Sequence, residues 1–532
     1  MITLKKISGS VSLLLLSTFA LNAQNLKEAI KLTEGEKYPK AAAAFQSLIK
    51  ADPLNAQNYF YSANNYFKWG KADSAKAVYQ RGIAAAPKSA INYAGLGQVQ
   101  WATKDTANGS ANLNKALLMS KSKDILVINK VGDAYINYDF KKIKEAQALL
   151  VKAEKKNYKN TDLHILKGDA YLANNQNGEA FSSYETAYDI DSTSFTVLLK
   201  LGSVMASAAN YEKALDYLVA INVMDSTFVP AYKEKAYLCE KMENYELAIE
   251  QLRKYLSYNE NLEARTDLAR NLFLNREYTN AVQEINTIQT TDTSNIYLYR
   301  LAGYSLFETA SYDSSAIFMQ KFFEKAPNDK SIELKTSDYR YYGKALAKTS
   351  QDSLALIYLH KALEKDSTII DLNTDIANSY YRLKNYQAAA KYHEIKIVKR
   401  GDKADAKDYN SLATAYYYKK EYVKADSIFT KVIELKPELF SGHLWRAKSN
   451  EMLDPDCKSG IAVPFYETVL EKANPEKNKK DMINARLYIG FHYIQNKNFK
   501  KAKEQYTEIL KLDPNSPQAN RFMSTKEAKA VK

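Results

Sequence analysis

An all-α fold, specifically an α-α superhelical solenoid of about fourteen helix-turn-helix units, is predicted by three observations. Small and aromatic residues recur in fixed phase at intervals close to 34 residues along almost the whole chain. Gly (17) and Pro (11) are scarce among 532 residues, less than half of average usage, which disfavours both disorder and turn-rich all-β folds. Hydrophobic residues reach 46%, ample for a core, and they fall at helical rather than alternating spacing.

The chain opens with Lys5 and Lys6, an apolar run from Val11 to Leu21, and then Asn22-Ala23-Gln24. A basic start, an apolar stretch of about a dozen residues and a small residue at its end form a secretory signal peptide over residues 1–23, cut after Ala23. The run is shorter than the roughly 20 residues needed to span a bilayer. Loss of Lys5 and Lys6 lowers the formal charge from +14 to +12. The expected location is therefore outside the cytoplasm, in a periplasm or at the periphery of a cell envelope, with no integral membrane span after cleavage. Basic and acidic residues interleave without a basic arm, so nucleic acid is not an expected partner.

The repeats follow. Tyr59 to Pro87 and Asn484 to Pro514 share a small residue, an aromatic three later, then Ala, an aromatic four after that, and a Pro eight further on. The first small position is Ala29, Ala63, Gly97, Gly132, Gly168, Gly202, Ala236, Ala269, Gly303, Gly343, Ala377, Ala413, Ala447 and Gly490, and all but two steps are 33 to 36 residues. The second runs from Ala41 and Ala75 to Ala502, and four residues later stands an apolar or aromatic side chain, except at His393. This pattern resembles the tetratricopeptide repeat over residues 25 to 516. The resemblance implies two antiparallel helices per unit, which cross so closely that each offers a side chain no larger than a methyl. One unit cannot bury its face alone, so stability comes from neighbour stacking. The consensus Trp near the start of the repeat is usually Tyr, Leu, Ile or His here, as at Tyr59, His164, Leu198 and Tyr232.

Two longer steps, of 40 and 43 residues, place extra residues around 328–335 and within 454–480. Insertions in solenoids map to loops or joints. They suggest sub-arrays at 24–327 and 328–516, and the tail 517–532 reads as a short capping helix.

Catalytic signals are missing from the sequence. There is no HExxH, no phosphate-binding GxxxxGK[ST] and no GxSxG, and Gly95 and Gly97 lack a third glycine. Cys239 and Cys457 are too far apart for a CxxC pair, and five scattered histidines add no ligand spacing. Asp454 and Asp456 are expected to be solvated loop acids. The expectation is a non-enzyme with no cofactor and no metal.

The resemblance places binding along the first helix of each unit. Groove positions three before and one after the first small residue, with another one turn on, give Arg270, Arg300, Tyr304, Arg340, Lys344, Asn378, Tyr381, Asn410 and Tyr417 in units eight to twelve. Earlier units put Asn129, Asp133, Asp162, Ile165, Asp169, Leu199 and Ser203 there. Arginine beside tyrosine and Asn amides suits an extended peptide with acidic groups. The reading is an exported scaffold or adaptor for other envelope proteins or extended peptide segments. The alternative is a glycan- or peptidoglycan-binding envelope protein, disfavoured because tyrosines such as Tyr66, Tyr79, Tyr135, Tyr171, Tyr184, Tyr380 and Tyr506 fall at core phases.

Overall fold

A computed structural model describes residues 25–139 and 142–531, and the expected signal peptide lies outside them. Among the described residues all regular structure is helical, and the helices pair into fourteen helix-turn-helix repeats. In the fifth repeat a helix of 13 residues (Thr161–Ala173), a short turn and a helix of 14 (Asn177–Ile190) fill most of the period seen in the sequence. The chain forms two compact units, one ending at Thr291 with eight repeats, the other beginning at Asp292 with six.

The small residues sit at the crossings. The second small position is fully buried at Ala41, Ala75, Ala146, Ala180, Ala214, Ala248 and Ala281, and again in the second unit at Ser315, Ala355 and Ala425. A Cβ on Gly303 would fall 2.4 Å from Met319 Sδ, on Gly168 2.3 Å from a Tyr184 ring carbon, and on Gly343 2.8 Å from Leu359 Cγ. Each partner stands sixteen residues on, which is the apolar position of the sequence pattern. The third repeat is tighter: a Cβ at either Gly97 or Gly109 would meet the other's carbonyl oxygen at 2.9 Å. At Gly202 the nearest atoms are 3.4 Å away, so that crossing has room for one methyl.

Two recurring turns connect the helices. Within a repeat, one residue takes a left-handed conformation and the next donates its N–H to the carbonyl five back, as with Asn210 to Met205 (2.9 Å) and Asn244 to Cys239 (2.8 Å). This closes the first helix in a Schellman motif. The left-handed residue is Gly only at Gly70; elsewhere it is Lys104, Asn175, Ala209, Ala310, Lys384 or another residue with a β-carbon. The same asparagines then cap the second helix, Asn210 accepting from the N–H of Lys213 and Asn244 from that of Leu247. Between repeats, the residue at the consensus Trp position ties the turn to a carbonyl six residues back. Tyr59 donates to Pro53 (3.0 Å), Tyr232 to Ser226 (2.8 Å) and Tyr299 to Thr293 (3.2 Å), while the His164 and His443 rings bond Tyr158 and Pro437. Tyrosine and histidine thus replace tryptophan with a polar tip that the turn can use.

In the first unit the chain returns on itself. Lys37 Nζ donates to Thr227 Oγ1 (2.7 Å), and Tyr255 Oη and Asn259 Nδ2 donate to the Glu36 carboxylate (2.7 and 3.2 Å). The first repeat is thereby docked on the sixth and seventh.

The insertions are ordered by carboxylates. The expectation that Asp454 is a solvated acid is corrected: it is buried and accepts the backbone N–H groups of Lys458 (3.1 Å) and Gly460 (2.7 Å). Burial opposes its ionisation, but the hydrogen bonds from Ser459, Gly460 and Lys458 outweigh it and hold the carboxyl below its usual range. The last repeat is covered by two short helices, Pro517–Met523 and Lys526–Ala530, which bury Ala519, Phe522 and Ala528. Cys239 and Cys457 are both buried and unpaired. Of the seven tyrosines placed at core phases, Tyr79, Tyr135, Tyr184 and Tyr506 are buried, and Tyr66, Tyr171 and Tyr380 pack partly buried against the core clusters.

Candidate functional site: the groove of repeats ten to twelve

Repeats nine to twelve begin with the helices Ile296–Glu308, Thr336–Lys348, Asp371–Arg382 and Ala406–Tyr418. The structure distributes the nine expected residues among different environments. Arg340 and Lys344, one turn apart on Thr336–Lys348, line one cavity of about 380 Å³ with Thr374, Asp375, Lys407 and Ser411. Neither is ion-paired among the described residues, and Lys344 rests 5.2 Å from the centre of the Phe307 ring. Asn378 is exposed on the next helix. Asn410 lines a neighbouring cavity, and its Oδ1 is enclosed without a hydrogen-bond partner. Tyr381 and Tyr417 join a cluster of rings in which Tyr381 meets Tyr386 and Tyr418 edge-on, and Tyr417 meets Tyr418, Tyr422 and Trp445.

Two of the nine are structural. Arg300 is only 8% exposed, and its guanidinium donates to both oxygens of Asp338 (2.8 and 3.0 Å) and to the Glu333 carbonyl (2.6 Å). Tyr304 donates to Asp338 (2.6 Å), accepts from the Ser337 hydroxyl (2.9 Å) and stacks on Tyr341 with ring centres 4.1 Å apart. The expectation of a groove-facing arginine at 300 is corrected: the next repeat covers that side of the helix and brings the carboxylate that neutralises it. Arg270 belongs to the first unit, where it pairs with Glu240 (2.7 Å) and Asp267 (2.9 Å). In the earlier repeats Asn129 is buried and donates to Asn160, and Asp169 accepts from Tyr184 and pairs with Lys200.

One groove phase was missed by sequence reasoning. Two residues before the first small position stand Glu234, Asp267 and Asp375, each with its carboxyl raised, and burial is the first cause in all three. Lys130 stands at the same phase and is pushed down to about 8 by burial, against the pull of Asp133. This phase lies one turn before the one-after position, so both face the same side of the helix. At the position three before, Arg300 is covered by the neighbouring repeat, whereas Arg340 lines the cavity.

Around the cavity of repeats ten to twelve, Arg340, Lys344, Lys396, Arg400 and Lys407 face Asp371, Asp375, Asp405 and Asp408, a net charge of +1. Lys396 and Arg400 are committed to Asp408, each at 2.8 Å. Burial would raise the Asp408 carboxyl, but these cations and the backbone N–H of Asp405 hold it below its usual range. His393 is buried on the cavity wall; burial above all, with Lys396, pushes its imidazole down to about 4, so it is neutral at pH 7. Asp375 Oδ2 is enclosed and accepts no hydrogen bond. Arg340, Lys344 and Lys407 are the cations of this cavity without an ion pair among the described residues; Arg340 and Lys344 pull the Asp375 carboxyl down, and as donors they suit a carboxylate. Among the described residues, no group of three or more His, Cys, Asp or Glu is placed to hold a metal ion, and no helix is long and apolar enough to cross a membrane.

Comparison with known proteins agrees with this architecture. A family model described as tetratricopeptide repeat matches residues 26–90 and 138–195, and a second of the same description matches 229–262 and 489–516. No curated protein matches the chain. Among solved structures, the C-terminal part of a TPR repeat-containing protein from Cytophaga hutchinsonii is 37% identical, over 48% of this chain and 98% of that one, with a TM-score of 0.42. A tetratricopeptide repeat protein from Parabacteroides merdae is 18% identical, over 47% of this chain and 97% of that one (TM-score 0.34). Pseudomonas aeruginosa pilF is likewise 18% identical, over 43% and 98% (TM-score 0.35). With its fourteen helix pairs and the small-residue crossings that join them, the chain belongs to the tetratricopeptide repeat family.

Proposed function

We propose that this protein is an exported scaffold of a bacterial cell envelope, and that repeats ten to twelve hold an extended, carboxylate-bearing segment of a partner protein. The observation that carries the reading is the pair Arg340 and Lys344, which line one cavity without an ion-pair partner among the described residues. A carboxylate docked between them gains charge-assisted hydrogen bonds that each is built to donate. Thr374 and the enclosed Asn410 Oδ1 offer main-chain-sized hydrogen-bonding partners alongside. The tyrosine rings of repeats eleven and twelve, with Trp445 of repeat thirteen, supply flat apolar area for the intervening residues. The export half of the proposal rests on residues 1–23.

The test is a fluorescein-labelled peptide of alternating Glu and Ser, titrated with the purified protein by anisotropy. Binding is expected for the wild type and a loss of tenfold or more for Arg340→Glu/Lys344→Glu. Equal binding by both proteins rejects the groove. N-terminal sequencing of protein recovered from fractionated cells tests export: a mature chain beginning at Gln24 is expected, and an intact Met1 in the cytosol rejects it.

A further inference from the structure

A cavity of about 500 Å³ opens in the first unit between the first helices of repeats six, seven and eight, which are Phe195–Ser207, Pro230–Lys241 and Leu262–Leu274. One wall is built from Gly202, Ser203, Ala206 and Ser207, whose side chains are too short to fill the space beside them. The charged lining is Glu234, Glu240, Glu263 and Asp267 against Lys233 and Arg270, a net charge of −2. Most of these charges are compensated: Glu263 pairs with Lys233 at 2.6 Å, and Glu240 and Asp267 both pair with Arg270. Glu234, an exposed residue, is not; its carboxylate has no hydrogen bond or ion pair among the described residues.

A second observation points to the same missing chemistry. Asn271 lines the cavity and is 1% exposed. Its Nδ2 donates to Glu240 (2.8 Å) and to the Asp267 carbonyl (2.9 Å), which fixes the amide's orientation and leaves Oδ1 as the other atom. That buried Oδ1 accepts from no donor in the structure. An enclosed acceptor without a partner is costly unless a donor arrives from outside. The cavity therefore combines an unpaired carboxylate, an unpaired acceptor and an excess of negative charge, all of which a donor-bearing cation would satisfy. The carboxyls of Glu234 and Asp267 are raised, burial first; Lys233 and Lys200 pull Glu234 down while Glu36 pushes it up, and Asp267 feels Arg270 and Lys233 against Glu240 and Glu263. Among the described residues no group of three or more His, Cys, Asp or Glu is placed to hold a metal ion, and an organic cation offers N–H donors to both the carboxylate and the amide oxygen.

We propose that the cavity between repeats six and eight receives a lysine or arginine side chain from an extended segment of a partner protein. This site is separate from the groove of repeats ten to twelve and asks for the opposite charge. The protein carries a formal charge of +14, so its overall field repels a basic peptide and attraction must be local.

The probe is a fluorescein-labelled, end-blocked Gly-Arg-Gly-Arg-Gly peptide followed by anisotropy at low salt, with spermidine as a second ligand. Glu234→Gln removes charge without removing a contact, so the variant should unfold like the wild type. The expected result is binding to the wild type, weakened about tenfold by Glu234→Gln. Glu467→Gln, at an exposed carboxylate in the second unit, is the control and should bind like the wild type. The proposal is overturned by the absence of peptide binding up to millimolar protein, or by equal effects of Glu234→Gln and Glu467→Gln. Spermidine binding without peptide binding also overturns it, in favour of a free polyamine.

Discussion

Replacing Asp338 by alanine should open the second unit at the junction of repeats nine and ten. Asp338 is fully buried, and the Arg300 side chain it neutralises is nearly so. The carboxylate takes two hydrogen bonds from Arg300, one from Tyr304 Oη and one from the Lys335 N–H at the start of Thr336–Lys348. Removing it leaves the Arg300 guanidinium with the Glu333 carbonyl and the face of Phe322, 4.7 Å away, a buried cation without its counter-ion. Loss of one partner from such a pair costs about 3–5 kcal/mol, and the lost helix cap, worth about 1 kcal/mol alone, is contained in that figure rather than added to it. The assay is hydrogen exchange read by mass spectrometry over Ile296–Glu308 and Thr336–Lys348, because local opening in a repeat array need not follow a single global transition. A change of 3 kcal/mol or more corresponds to a fall in protection of more than about a hundredfold. The double variant Arg300→Met/Asp338→Leu should regain most of it, since an apolar pair of similar size removes both charges together. A fall of less than tenfold in Asp338→Ala would refute the reading of this pair as a buried structural link.

Other outcomes follow from the same geometry. Gly97→Ala and Gly109→Ala should each destabilise the first unit by about 1–3 kcal/mol in urea unfolding, because the new methyl meets a backbone carbonyl that cannot move aside. Gly202→Ala should be neutral or stabilise by up to about 1 kcal/mol, since its crossing has room and alanine favours helix. Ala310→Gly should stabilise the second unit by about 1 kcal/mol, relieving a β-carbon held at φ 58°. His393 gives a pH dependence: its folded pKa, about 4, lies below the unfolded value near 6.5, so the unfolded chain takes up a proton first. Stability of the second unit should therefore fall by about 3 kcal/mol as pH drops from 6.5 toward 4, and urea midpoints for His393→Leu should lack that step.

The fold was legible because its determinants are local and repeated. A glycine or alanine at the crossing and an apolar residue sixteen positions on leave the same mark in every unit, so even degenerate repeats keep the phase. The tyrosine and histidine ties between repeats were visible only as departures from a consensus tryptophan; their hydrogen bonds to carbonyls six residues back depend on turn geometry that spacing does not encode. The groove was read less well. Arg340 and Lys344 do line a cavity, but Arg300 occupies the same helical phase as Arg340 and is buried. The difference is made by Asp338, 38 residues on, where the six-residue insertion reshapes the turn. Asp267 and Asp375 were overlooked because a sequence shows charge but not how far a groove shields it: both are half-buried, whereas Glu234 at the same phase is exposed. Asp454 was misread for the same reason: the loop it organises folds around it.

The central claim, that the first helices of repeats ten to twelve grip a partner segment through Arg340 and Lys344, is tested most directly by site-specific photocrosslinking in cells. A photoreactive amino acid at position 378, on the exposed side of Asp371–Arg382, should give a discrete adduct that disappears when Arg340→Glu/Lys344→Glu is added. The same probe at position 423, where Val423 is 68% exposed on the second helix of repeat twelve, should give none. An adduct at 378 that survives the charge reversal, or one at 423 alone, would contradict the account.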